Sequence, residues 1–144
     1  MAEKYLTPQE EAFLIDTIRK AERLTSGEIK VHLEARVGQK DTFARALDVF
    51  SKLGLHKTQL RNGVLFYVAV WERKFAIVAD EGINQKVPDD FWDSITEEMK
   101  VFFQKEQLLE GLRLGIKHAG EALQKYFPIA EDDVNELSND ISQE

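Results

Sequence analysis

The 144-residue sequence contains no cysteine. Disulfide frameworks, thiolate zinc sites, iron–sulfur clusters and cysteine nucleophiles are therefore excluded. Long apolar runs are missing as well. The longest, Val64–Trp71, has eight residues, whereas a membrane-spanning helix needs about 20. The first residues, Met-Ala-Glu-Lys-Tyr-Leu-Thr-Pro, lack the basic start and apolar stretch of a secretory leader, so the expected location is cytoplasmic. Positive charge is in deficit, with 19 Lys and Arg against 26 Asp and Glu. No basic footprint for nucleic acid is present. Only 3 prolines and 8 glycines occur, too few for a collagen-like or low-complexity chain. The three histidines, His32, His56 and His118, form no i, i+4 pair of the kind a zinc helix uses. There is no nucleophile elbow, phosphate-binding loop or dinucleotide fingerprint.

What remains is an ordinary soluble composition, 43% hydrophobic and 31% charged, in a length that suits one domain. The charge is unevenly placed. Residues 131–144 hold six acids and no base, −6 of the total −7, which leaves −1 on residues 1–130. Residues 1–130 are expected to form a single domain, and residues 131–144 an acidic, frayed tail.

Hydrophobic spacing orders the domain as α-β-α-β-β-α-α. Thr7-Pro-Gln-Glu10 reads as a capping box, and Ala12, Phe13, Ile15, Ile18, Ala21 and Leu24 continue it as a helix from about Pro8 to Leu24. Glu28–Ala35 alternates, predicting a strand with Glu28, Lys30, His32 and Glu34 on a solvent-facing side. Asp41 is placed to cap a second helix with a core stripe of Phe43, Leu47, Phe50 and Leu53, closed by Gly54. After the Asn62-Gly63 turn, Val64–Trp71 and Lys74–Ala79 predict a hairpin, followed by a loop from Asp80 to Asp89. A third helix carries Phe91, Trp92, Ile95, Met99 and Phe102. A fourth carries Leu108, Leu112, Ile116, Ala119, Leu123 and Phe127, and Pro128 stops it. A strand, helix and strand joined to a hairpin predict a small mixed sheet covered by helices, an α/β class fold.

That topology gathers polar groups at one end of the sheet. The parallel strands begin there, at Glu28 and Asn62, and the antiparallel strand ends there, at Asp80 and Glu81. Asp89, Asp90 and Asp93 open the next helix, and Lys86 is the only base between Asp80 and Asp93. Carboxylates brought together repel unless a cation or proton intervenes. An all-oxygen donor set suits a hard divalent cation, with calcium the first choice and magnesium or another divalent ion the alternatives. The same residues also admit a purely local reading: Asp89 or Asp90 as a helix N-cap, Asp93 as a first-turn acid, Glu28 as an exposed strand end. No EF-hand spacing is present.

Five short motifs then stand in an order that resembles the TPM domain family: Ser-Gly-Glu-Ile29, Asn-Gly-Val-Leu65, Glu-Arg-Lys-Phe-Ala-Ile77, Asp-Glu-Gly-Ile83 and Val-Pro-Asp-Asp90. The resemblance runs from about Phe13 to Phe127 and is strongest to short bacterial members. It implies a three-layer α/β/α sandwich and divalent-cation binding, chiefly of calcium, at an acidic end of the sheet. It also implies a phosphatase activity attributed to plant members. Carried onto this chain, the positions implicated are Asp80, Asp89 and Asp90, with Glu28 beside them. The chain departs from many relatives in having Asp80-Glu-Gly-Ile where they have Gly-x-Gly-Leu. Three functions follow as expectations: a cation-binding domain, a metal-assisted phosphoesterase, or a metal-free protein-interaction module.

Overall fold

The computed structural model describes residues 5–129 and 141–143. Its elements are α1 (Pro8–Glu22), β1 (Glu28–Glu34), α2 (Thr42–Lys52), a 3₁₀ turn at Leu55–Lys57, β2 (Gly63–Ala69), β3 (Lys74–Ala79), α3 (Glu81–Asn84), α4 (Phe91–Gln104), α5 (Leu108–Tyr126) and β4 (Ser142–Gln143). The sheet order is β3-β2-β1-β4. β1 runs parallel to β2 and β4, and β3 runs antiparallel to β2.

Helix α1 starts where its capping box dictates. Thr7 Oγ1 accepts from the Glu10 N–H, and Glu10 Oε1 accepts from the Thr7 N–H. It ends at Glu22, short of Leu24, which is exposed. The reason lies across the molecule. The Thr25 hydroxyl sits 3.0 Å from the Leu123 carbonyl and 2.5 Å from that of Phe127, which bolts the α1–β1 turn to the end of α5. Asp41 caps α2 through the Ala44 N–H, and Gly54 leaves it in a left-handed conformation, φ 77°, both as expected.

The layers follow from strand alternation. Ile29, Val31 and Leu33 of β1 join Val64, Phe66 and Val68 of β2 beneath α1, α4 and α5, against Leu14, Ile18, Met99 and Ile116. On the other face Leu65, Tyr67 and Ala69 of β2 and Val78 of β3 pack under Ala46, Val49 and Phe50 of α2 and under Leu55. The architecture is the α/β/α sandwich.

Four expectations are corrected. The sheet-facing stripe of α2 is Ala46, Val49 and Phe50; Phe43 and Leu47 are exposed at 51% and 44%. Secondly, the polar side of β1 does not face water: Glu28, Lys30, His32 and Glu34 are all buried. β1 is an interior strand, flanked by β2 and β4, and the Arg45 side chain of α2 reaches across to its Glu34. Thirdly, the loop after Asp80 contains the short helix α3, capped by Asp80 itself. Lastly, Ser142 and Gln143 pair with His32 and Leu33, so the end of the acidic tail joins the sheet instead of fraying there. The rest of that tail, 131–140 and 144, lies outside the described residues.

Candidate functional site

The strand ends do meet as the topology requires. Glu28 is in register with Gly63, and the Asp80 N–H donates to the Gly63 carbonyl at 3.0 Å, so Glu28, Gly63 and Asp80 form one row across three strands. Strands are about 4.8 Å apart, which puts the Glu28 and Asp80 backbones about 10 Å apart, with a side-chain-free glycine between them.

The carboxylates in and around this row are handled in three different ways. Asp80, nearly buried, is held by Arg61: Nε donates to Oδ2 at 2.7 Å and Nη2 to Oδ1 at 2.9 Å. Arg61 Nη1 also reaches Glu81 Oε1 at 2.9 Å. The guanidinium is therefore the resident cation of the Asp80–Glu81 corner. Arg61 itself sits at φ 53°, and it is propped from behind by Gly82, where a Cβ would stand 2.1 Å from the Leu60 carbonyl oxygen.

Glu28 is drawn inward beside the carboxyl of Glu22, the last residue of α1, whose Oε1 is buried without a hydrogen-bond partner. Burial pushes the Glu22 carboxyl up to about 8; the Ile29 N–H donating to its Oε2 at 2.6 Å works against this, and the charge of Glu28 adds to it. A carboxyl raised this far keeps its proton at neutral pH, beside the buried Glu28. Asn62 is a structural tie: its N–H donates to Thr58 Oγ1 and its Nδ2 to Ser26 Oγ.

Asp89, Asp90 and Asp93 lie on the turn into α4 and on its first helical turn, all exposed. Asp90 stands at the cap position without a side-chain cap bond. None of the three makes a salt bridge or side-chain hydrogen bond among the described residues. Their segment is fastened to the sheet end by two bonds in series: Trp92 Nε1 donates to Asn84 Oδ1 at 2.7 Å, and Asn84 Nδ2 donates to the Ala79 carbonyl at 2.8 Å.

The sequence reading missed a second polar cluster, inside the α2 face. Arg45 forks onto Glu34, with Nε–Oε2 at 2.8 Å and Nη2–Oε1 at 2.7 Å. The Tyr67 hydroxyl donates to Glu34 Oε2. His32 stacks on Tyr67, with one ring nitrogen 3.3 Å from Glu34 Oε1 and the other 2.9 Å from Ser142 Oγ. Burial works to raise the Glu34 carboxyl, but the bonds from Arg45, Tyr67 and His32 overcome it and bring it down to about 2. Burial and the Glu34 charge push the Tyr67 hydroxyl up. The order acid–histidine–serine is that of a hydrolase triad. Here His32 is fully buried and Glu34 is already saturated by Arg45 and Tyr67, so the cluster fastens β4 to β1. A run of four ionisable residues on an interior strand, followed by an arginine on the next helix, was the legible signal. Nothing in the sequence marked Ser142.

Comparison with known proteins agrees with this architecture. The family model described as the TPM domain matches residues 2–122, and the chain belongs to that family. The BA42 protein of the psychrophilic bacterium Bizionia argentinensis is 48% identical, covers 100% of this chain and 99% of its own, and superposes with a TM-score of 0.90. The N-terminal domain of a P. gingivalis protein shares the fold at 19% identity, covering 85% of this chain and 78% of that one, TM-score 0.71. The N-terminal domain of cg2496 from Corynebacterium glutamicum does so at 13% identity, 83% and 74% coverage, TM-score 0.60. Among curated proteins none matches. No helix among the described residues is long and apolar enough to cross a membrane.

Proposed function

We propose that this TPM domain is a divalent-cation-binding domain, with calcium the ion it takes, and that it is not primarily an enzyme. The observation that supports this is the contrast within the acidic end. Asp80 and Glu81 are neutralised by Arg61, whereas Asp89, Asp90 and Asp93, within five residues, have no countercharge among the described residues. Hard oxygen donors of this kind match calcium in chemistry. They do not match it in arrangement: among the described residues no three acidic, histidine or cysteine side chains stand together in a metal-holding group. To hold an ion, Asp89, Asp90 and Asp93 would have to draw together from where they stand, and Asp80 could join only by giving up a bond to Arg61. Glu28 is buried beside Glu22 and makes a poor ligand. The phosphoesterase reading has less behind it, since Arg61, the guanidinium at this end, is already engaged by two carboxylates.

The test is a calcium titration of the chelated protein followed by amide NMR shifts. Saturable shifts confined to residues 80–93, lost in Asp89→Asn/Asp90→Asn and retained in Asp48→Asn, are expected. Arg61→Gln should strengthen binding by freeing Asp80. Shifts spread evenly over all acidic surfaces, or none at millimolar calcium, would refute the proposal.

A further inference from the structure

At the other end of the sheet, near the carboxyl end of β2, two clefts adjoin. One, of about 460 Å³, is walled by Tyr5, Val68, Val70, Trp71 and Leu108. The other, of about 520 Å³, is edged by Lys74, Phe75, Lys100 and Gln104. Arg73 and Phe103 line both, and Phe103 meets Phe75 edge to face at 4.7 Å. Both clefts have largely apolar, aromatic walls; the first has Arg73 and Glu106 at its edge, and the second carries Arg73, Lys74 and Lys100 around Phe75 and Phe103. Three basic side chains edge the joined groove in a chain of net charge −7. Lys74 has no acidic partner among the described residues, and Lys100 reaches only Glu97, at 3.3 Å. Ligands of open α/β sheets favour the carboxyl ends of the parallel strands.

The waist of the groove carries a second observation. Arg73 and Glu106 are both in the left-handed region, at φ 56° and 60°, and their side chains pair at 2.6 Å. Glu106 occupies the position after α4 where Gln107 N–H closes on the Phe102 carbonyl and a glycine would be unstrained. The pair is largely exposed and adds little to stability. Its effect is to lay a carboxylate of the protein on the arginine that joins the two clefts.

We infer that the groove is a binding site for a small amphiphilic anion, an aliphatic carboxylate of medium chain length. The tail would lie against Tyr5, Val70, Trp71 and Leu108, and the carboxylate would take the place of Glu106 on Arg73, steadied by Lys74 and Lys100. Apolar walls with a few convergent charges in a cleft of several hundred Å³ are the usual make-up of such a site. The site is separate from the acidic end and does not depend on cation binding there.

Decanoate, below its micelle concentration, is the probe, followed by the indole N–H of Trp71 and the amides around Phe103. Decanol and acetate serve as tail-only and head-only controls. Saturable shifts with decanoate and none with acetate are expected. The exposed double variant Lys74→Gln/Lys100→Gln should weaken binding about tenfold, the scale of a lost charge-assisted contact. Trp71→Ala should weaken it as well, and Glu106→Gln should strengthen it. The inference is overturned if decanoate gives no saturable shift, or if decanol binds as well as decanoate and the lysine variant is indifferent, which would make the groove an apolar crevice only. A Glu-rich decapeptide that displaces decanoate at lower concentration would overturn it in favour of a protein partner.

Discussion

Replacing Glu22 by glutamine should stabilise the protein, and increasingly so as pH rises. Glu22 is 2% exposed, with a carboxyl raised to about 8 from an ordinary 4.5. Between those values the unfolded chain has released a proton that the folded chain still holds. The sign is that of a raised carboxyl: its favourable contribution is full below about 4.5 and is lost progressively as pH climbs to about 8. At pH 7 the loss is about 3 kcal/mol, taking 1.36 kcal/mol per unit. Glutamine keeps an oxygen to accept from the Ile29 N–H and has no charge to bury. Glu22→Gln should therefore match wild type near pH 4.5 and exceed it by about 2–3 kcal/mol at pH 7. Urea unfolding across this range, with unchanged slope m, measures the difference directly. Because both proteins share every titrating group outside this corner, the difference reports Glu22 together with its coupling to Glu28. Parallel pH profiles for the two would show that Glu22 ionises as readily in the folded protein as in the unfolded chain, and would refute the reasoning.

Arg45→Ala leaves Glu34 in the interior without its guanidinium and should cost about 3 kcal/mol at neutral pH. In wild type the contribution of Glu34 is lost only as pH falls from about 4.5 towards about 2, so acid titration of the variant by circular dichroism should show earlier unfolding. Gly82→Ala would set a Cβ 2.1 Å from the Leu60 carbonyl oxygen and 2.5 Å from that of Arg61. It should lose about 1–3 kcal/mol and release Arg61 from Asp80, visible as a shift of the Arg61 Nε–H signal. Glu106→Gly should leave stability unchanged or raise it by up to about 1 kcal/mol, since glycine removes the left-handed strain. A clear fall in its melting temperature would mean that the Arg73 ion pair is structural.

Local chemistry was readable from the sequence wherever a few neighbouring residues decide the outcome. The capping box at Thr7–Glu10, the Asp41 cap and the Gly54 helix stop depend on contacts within one turn and appear as read, as does the strand Lys74–Ala79; its hairpin partner stops at Ala69, two residues short of the expected Trp71, leaving residues 70–73 as the turn. The meeting of Glu28 and Asp80 at one sheet end was also legible, because strand direction alone determines it. Partner choice was not. That Arg61 would take Asp80, and Glu22 lie beside Glu28, depends on residues brought together from separate elements. Alternation could show that Glu28, Lys30, His32 and Glu34 share one face, but not that Arg45 would close on Glu34 and Ser142 on His32. A strand's pattern states which side chains lie together; whether that side meets water is settled by what packs on it. For a charged side chain, burial against a partner is what separates a solvated surface from a retained proton or an internal ion pair.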